Sequence, residues 1–553
     1  MNDRRAATAL PSVGLVALIV LAALFAIVAV RFAAQQSVWT DETTQLSGLS
    51  LGFADQLRWL TGRLPNVFAV PLDRTPPLSY WLGSLWTLIF GSSVPAARYL
   101  SASLSVASIF VLWAAARQYL DHRTALVCAA LLALSPNFIV MAVEIRAYAA
   151  FILFSTLLTY IYLRLLAARP APSRLDLWAF AVVAALCSYT HFFGLIISGG
   201  AFLSLLVCYF PAVSRRDHLE IVRRARWPLG FYLVSLVGMI PFILAAVRIS
   251  GRGDVGPAVV ALPLSFRIHD LLRLVYRLFS HQSMLGIRGL SSAALLAGLA
   301  LVVFATLPGS NQRARQLLLF LLVNFGLITL AGLTTTAFGA FSPTYNVWAL
   351  PVIALIAATA LTHGNRKIRA ASTLCIGVLI AADSYAALRL SSAGEMYAHT
   401  RSSIVKAAVD SAGANNVIVL YANDAPSLYF AMIYDFAGRL RQYIDTGSTL
   451  QKIGPPDGSS SASMCDLSAG TLLVADDQEL SAEALQFLIA HPAVHSQAYH
   501  ALDQYLEFHR AELGAKWNLV SRKEYLAESA LALAVFKART GEPSPSFTSC
   551  NGR

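Results

Sequence analysis

Between Val13 and Val30 the chain runs eighteen residues without a charge. A stretch this apolar suits a hydrocarbon layer about 30 Å thick, and there every backbone N–H and C=O must be satisfied within the segment, which a helix of about twenty residues achieves. Comparable runs fall near 12–32, 93–116, 124–141, 147–166, 175–192, 195–211, 228–247, 291–308, 316–336, 346–362 and 370–389, giving eleven candidate spans. The first is longer than the apolar core of a signal peptide and is read as an anchor. Composition agrees: 57% of the 553 residues are hydrophobic and 13% charged, and the mean hydropathy is +0.60. The net charge of +12 lies in short connections between apolar runs, where it orients a membrane protein, and no nucleic-acid pattern accompanies it.

Positive residues in short loops stay in the cytoplasm. Arg4 and Arg5, Arg117 and Arg123, Arg164, Arg169 and Arg174, the group from Arg215 to Arg226, Arg313 and Arg315, and Arg366, Lys367 and Arg369 all fall on one side when the spans are counted from an inside N-terminus. The loops 33–92 and 248–290 then lie outside, as does everything after the eleventh span. Two domains are expected: a transmembrane domain over 1–394 and a soluble extracytoplasmic α/β domain over 395–553. In the latter, SSIVKAAVDSAG and AEALQFLIAHP read as helices, NVIVLYA, GTLLVAD and ALALAVFKAR as strands, and GPPDGSSSAS (454–463) as a flexible loop. It shows no Gly-rich phosphate loop or nucleophile elbow, so packing or acceptor binding is its expected role. Cys465 and Cys550 would face an oxidising compartment and are expected to pair.

The outer side gathers the unusual charges. The stretch VWTDE carries Asp41 and Glu42 at the start of an amphipathic helix expected to lie on the outer membrane surface, in which Leu46, Leu49, Phe53, Leu57 and Leu60 recur at helical spacing. The segment DRTPPLSYWL sets Asp73 and Arg74 before a stiff Thr-Pro-Pro turn. EIRAYA places Glu144 and Arg146 where an apolar run should continue, a costly position that tends to mark function although the two could simply neutralise each other. YTHFFG puts His191 at an outer membrane edge among aromatics, where a lone histidine is usually interfacial. FRIHDLLRLVYRLFSHQ separates an apolar face from Arg273 and Arg277; packing on the bundle and lipid-phosphate contact weigh about equally for it.

These motifs, in this order, resemble the bacterial relatives of protein O-mannosyltransferases and of the lipid A aminoarabinose transferase, membrane glycosyltransferases of the GT-C architecture. The resemblance is closest over residues 35–200. It implies an α-helical polytopic membrane protein with a GT-C-like bundle and an α/β tail in the bacterial cytoplasmic (inner) membrane. The implied partners are a polyprenyl-phosphate sugar donor, an acceptor that is an envelope glycan, lipid or protein, and membrane lipids. The family's first-loop acidic pair falls on Asp41 and Glu42, its second-loop acid on Glu144 followed by Arg146, and its charged pair before the proline turn on Asp73 and Arg74. In FSPTYNVWALP, Thr344 stands where many relatives have arginine before Tyr345, so Arg273 or Arg277 would have to supply a donor-phosphate contact.

The chemistry needs a carboxylate to take the acceptor's proton, for which Asp41 is the first choice with Glu42 and Glu144 behind it. The leaving phosphate needs cations, expected from Arg74 and Arg146. One base with no second nucleophilic carboxylate implies inversion. No cofactor is required, and a divalent metal held by Asp73 with His269 or His281 is left open. A carrier or flippase for polyprenyl-linked sugars is the alternative, and a scaffold with a sensory outer domain a third reading. The gathering of charge at the outer edge, and not through the spans, favours the transferase.

Overall fold

The computed structural model describes residues 11–36, 38, 40–64, 73–168, 172–209, 215–251, 264–281, 287–334, 341–392, 400–413, 417–422, 441–445, 450–453, 461–462, 471–479, 500–510, 513, 517–526 and 529–538. The chain divides into two units, one of 1–34, 48–64 and 72–394 and the other of 35–47, 65–71 and 395–553.

The first unit is helical. Its helices are α1 (Pro11–Ala33), the end of α2 (Thr40–Leu49), α3 (Phe53–Leu60), α4 (Leu78–Phe90), α5 (Val94–Arg117), α6 (His122–Leu134), α7 (Pro136–Met141), α8 (Tyr148–Ala167) and α9 (Arg174–Thr190). They continue with α10 (Phe193–Tyr209), α11 (Arg215–Gly251), α12 (Leu264–Phe279), α13 (Arg288–Thr306), α14 (Gln312–Thr334), α15 (Ala349–Thr359) and α16 (Arg366–Ser392). Among the described residues seven of these are long and apolar enough to cross a membrane: α1, α5, α8, α11, α13, α14 and α16. This is a multi-pass membrane protein. α8 is the most enclosed, packed between α5 and α9, whereas α11 leans on α9 with most of its surface uncovered. Starts are written locally. Asp121 accepts the N–H groups of Arg123 and Thr124 to cap α6, and Ser173 accepts that of Asp176 to cap α9.

Three expectations change. The run 124–141 is not one span but α6 and α7, broken at Ser135 (φ −58°, ψ 120°) because the residue before Pro136 is driven out of the helical region. The amphipathic helix expected from Glu42 to Leu60 is two, separated before Gly52, whose extended backbone (φ −66°, ψ 157°) starts α3. Glu42 to Leu46 are buried, not spread on a membrane surface, while Phe53 and Leu57 of α3 stay exposed. Gln56 fastens α3 by donating to the Gly48 carbonyl (3.1 Å) and to Ser84 of α4 (2.6 Å).

Among the described residues the second unit holds a seven-stranded mixed sheet: β1 (Val417–Tyr421), β2 (Arg441–Asp445), β3 (Leu450–Ile453), β4 (Ser461–Ala462), β5 (Thr471–Glu479), β6 (Trp517–Leu526) and β7 (Ser529–Ala538), in the order β4-β3-β2-β1-β5-β7-β6. β1 runs parallel to β2 and β5, with Ile418 opposite Leu472, and the other pairings are antiparallel. All five residues of β1 are buried, as a central strand covered on both faces requires. With α17 (Thr400–Ala412) and α18 (His500–Phe508), the sheet buries Leu420, Val474, Leu502, Trp517 and Phe536 in one core. The strands expected at NVIVLYA, GTLLVAD and ALALAVFKAR and the helix at SSIVKAAVDSAG are present. Ser461 and Ala462, inside the expected loop 454–463, pair as a strand, and the rest of that stretch lies outside the described residues. The helix at AEALQFLIAHP and the pair Cys465 and Cys550 lie outside the described residues.

Candidate functional site

The turn before α4 and the turn between α7 and α8 meet at Asp73 and Arg146, both nearly enclosed at 5% and 9% side-chain exposure. The guanidinium is bidentate: Nη1 donates to Asp73 Oδ2 at 2.9 Å and Nη2 to Oδ1 at 3.3 Å. Oδ2 also accepts from the Tyr80 hydroxyl (2.5 Å) and Thr75 Oγ1 (2.9 Å), and Oδ1 from the Arg74 N–H (2.8 Å). Burial alone would raise the Asp73 pKa, but Arg146 and the hydroxyl donors outweigh it and hold the carboxyl below its ordinary range. The Arg146 turn is itself pinned, since Ser101 Oγ of α5 donates to the Glu144 carbonyl at 2.6 Å. Glu144 is buried beside it in sequence.

α9 ends at Thr190, so His191 sits in the turn before α10 and outside both helices. Its Nδ1 accepts the Phe193 N–H at 3.2 Å, which leaves Nε2 to carry the proton of the neutral ring. Rings surround it: Phe151 at 5.0 Å, Tyr345 at 5.2 Å, Phe193 at 5.5 Å and Tyr148 at 6.1 Å. Burial, with Arg146 adding to it, pushes the imidazole down to about 3. Tyr345 reaches this box from the single turn of 3-10 helix at Thr344–Asn346.

Asp73, Arg146, His191 and Tyr345 are therefore brought into one neighbourhood of the first unit, with Glu144 on the same turn as Arg146. Arg273 and Arg277 stand apart from these contacts on α12, which packs on α13 and α14. Asn137 of α7 holds the end of α12 by donating Nδ2 to the Arg277 carbonyl at 2.8 Å. His281 follows α12, buried and pushed down to about 4 by burial and by Arg277. Asp41 and Glu42 occupy the first turn of α2 in the second unit, where carboxylates oppose the helix dipole favourably. Glu42 is only 2% exposed. Among the described residues no three of His, Cys, Asp and Glu come together as a metal would need, and Asp73 is engaged by Arg146.

Sequence reasoning missed Tyr80, Thr75 and Phe151. The first two lie inside DRTPPLSY, and an aromatic hydroxyl two residues into an apolar helix was a signal, because such a group needs a partner once buried. Arg98 was also missed: buried in α5, it donates Nη1 to the Ala33 carbonyl (2.7 Å) at the end of α1, a cation on a helix C-terminus.

Residues 74–244 match the family described as dolichyl-phosphate-mannose-protein mannosyltransferase, in agreement with the motifs. No curated protein matches the sequence. Among solved structures, the Saccharomyces cerevisiae protein O-mannosyltransferase Pmt1-Pmt2 complex bound to the sugar donor aligns at 17% identity and a TM-score of 0.32, over 42% of this chain and 34% of that one. ArnT from Cupriavidus metallidurans bound to undecaprenyl phosphate aligns at 13% identity and a TM-score of 0.48, over 94% of this chain and 97% of that one. The mycobacterial arabinofuranosyltransferase AftD aligns at 14% and 0.45, over 95% of this chain and 40% of that one.

Proposed function

We propose that this chain, a GT-C relative through its residues 74–244, transfers a sugar from a polyprenyl-phosphate-linked donor to an acceptor hydroxyl at the outer face of the bacterial cytoplasmic membrane. The product is a modified envelope glycan, lipid A or protein. The observation that carries this reading is the buried Asp73–Arg146 pair, fixed by Tyr80 and Thr75, beside the aromatic box of His191.

Asp73 occupies two of the five donors of the guanidinium and fixes its plane. A guanidinium so oriented suits the leaving lipid phosphate, which is already ionised and needs charge stabilisation but no proton. Arg74, next to Asp73 in sequence, adds a second cation, and Arg273 and Arg277 extend the set. Asp73, committed to Arg146 and held ionised, acts as a positioning residue. The base is Asp41, with Glu42 and Glu144 as its alternates; it takes the acceptor proton as the hydroxyl oxygen attacks the anomeric carbon and the phosphate departs, inverting that centre. Neutral His191 and its ring neighbours wall the site without adding charge.

Asp41→Asn preserves size but cannot take the proton. Restored to cells lacking the chain, it is expected to lower transfer by about 10²–10⁴, read by mass spectrometry of envelope glycans, which also identifies sugar and acceptor. Parental transfer by a normally expressed Asp41→Asn protein would move the base to Glu42 or Glu144. The proposed domains are a transferase over 1–394 and an extracytoplasmic α/β domain over 395–553. A cysteine introduced within 454–463 is expected to react with an impermeant maleimide in intact cells, and silence there would reverse the orientation.

A further inference from the structure

α11 is longer than the membrane needs. Its 37 residues extend about 55 Å, against about 30 Å of hydrocarbon. The extra length is at its N-terminal end, whose sequence RRDHLEIVRRARW carries five arginines against two carboxylates, Asp217 and Glu220. One of them is spent inside the fold: Arg224 Nε holds Glu220 at 2.6 Å and its Nη1 donates to the Pro172 carbonyl before α9 (3.1 Å), while Arg223 reaches the same carboxylate from the exposed side at 2.7 Å.

The opposite side of this segment is exposed and mixed. Leu219, Val222 and Trp227 are 76%, 60% and 68% exposed, and Arg223 and Arg226 share their face, at spacings of three and four residues that keep side chains on one side of a helix. Arg226 lies over the Trp227 ring at 5.5 Å. Three large apolar side chains turned outward between arginines make a poor surface for water. They make a good one for the headgroup layer, where tryptophan settles and arginine reaches phosphate while its stem stays in the apolar boundary.

The uncovered apolar stripe of α11 runs on from Leu219 through Trp227, Leu233, Val237 and Leu244 to Val247. At 1.5 Å per residue that is about 42 Å, the thickness of a bilayer with its headgroups, about 40–45 Å, and not of the hydrocarbon alone. The surplus of about 12 Å falls on Leu219 to Trp227.

We infer that the Leu219, Val222, Arg223, Arg226 and Trp227 face of α11 lies in the headgroup layer and binds the phosphates of anionic phospholipid. The site is separate from the proposed transfer chemistry and anchors the least covered helix of the bundle. Each arginine near an anionic surface contributes about fivefold in affinity, so the two give roughly thirtyfold.

The test uses the full chain, offered an equimolar mixture of phosphatidylglycerol and phosphatidylcholine and read by native mass spectrometry. The parent is expected to retain phosphatidylglycerol selectively. Arg223→Ala with Arg226→Ala is expected to lose about thirtyfold of that preference, while Arg223→Lys with Arg226→Lys keeps most of it. All three proteins should stay monodisperse, because these side chains point away from the bundle. In a chain with its other cysteines replaced, a nitroxide on Leu219→Cys in phosphatidylcholine–phosphatidylglycerol vesicles is expected at headgroup depth. An unchanged lipid preference in the alanine pair, or a label as open to bulk water as one on a free peptide, would overturn the inference; the latter result would point to a cytoplasmic protein partner.

Discussion

Asp73 with Arg146, and Arg273 with Arg277, are two placements of charge in one unit under different rules. The first is a bidentate pair closed off from solvent, with every carboxylate oxygen satisfied by named donors. The second is a pair of like charges on the surface of an amphipathic helix, where burial and Arg273 together hold Arg277 below its usual value. A buried ion pair is weak evidence of stability but is very costly to halve, whereas surface charge is cheap to lose. The difference separates a strut that also orients a guanidinium from like charges at a helix surface.

The largest effect is expected of Arg146→Ala, which strands Asp73 among Tyr80 and Thr75. A loss of about 3–5 kcal/mol is expected, read as a fall in thermal midpoint in detergent, together with loss of transfer. Adding Asp73→Asn should recover much of the stability and none of the transfer. A single variant as stable as the parent would mean that the pair is no strut.

Acid weakens both regions, each in its own pH window. Asp73 is held below the ordinary carboxylate pKa, so its contribution is complete above that value and is lost only as pH falls through the lowered one. His281, at about 4 when folded and 6.5 otherwise, works in the same direction but at higher pH. As pH falls from about 6.5 to about 4 the unfolded chain takes up a proton that the folded one refuses, and roughly 3 kcal/mol of stability drains away. His191 loses stability in the same sense, so His281→Gln is expected to remove only the α12 share of the slope in a pH series of melting curves. An unaltered slope would place the sensitivity with His191.

The smallest effect is expected at Arg273. Arg273→Ala should move stability by less than about 0.5 kcal/mol, while donor affinity falls about fivefold, and less so in high salt, as expected of an exposed cation. A large drop in stability would erase the contrast between the two regions.

Much of this was legible from the sequence where the signal was local. Long apolar runs gave the helices, and short unbroken apolar runs gave β1, β5 and β7. Pro136 ought to have been read as a break, since a proline inside a helical run acts on the residue before it; length and hydropathy hid it. The pattern from Leu46 to Leu60 was truly helical in spacing, but Ser50, Leu51 and Gly52 interrupt it, and a periodicity count does not register where a backbone turns. Asp73, Arg146, His191 and Tyr345 were each singled out singly. Their meeting could not be, because it joins residues 73 and 146 and residues 191 and 345 across several helices, and no spacing rule spans such distances.

Gly48 has no room for a side chain, because a Cβ there would strike the rings of Tyr80 and Trp59. Tyr80 is the same residue whose hydroxyl helps to keep Asp73 ionised. Steric room and charge are thus wired in series: one methyl group at position 48, far outside any reacting group, would push a ring, loosen a proton donor and let a carboxylate drift toward neutrality. In a chain built this way, a change of shape at a helix end is transmitted as a change of voltage at the guanidinium, and substitutions that look purely mechanical will read out as altered chemistry.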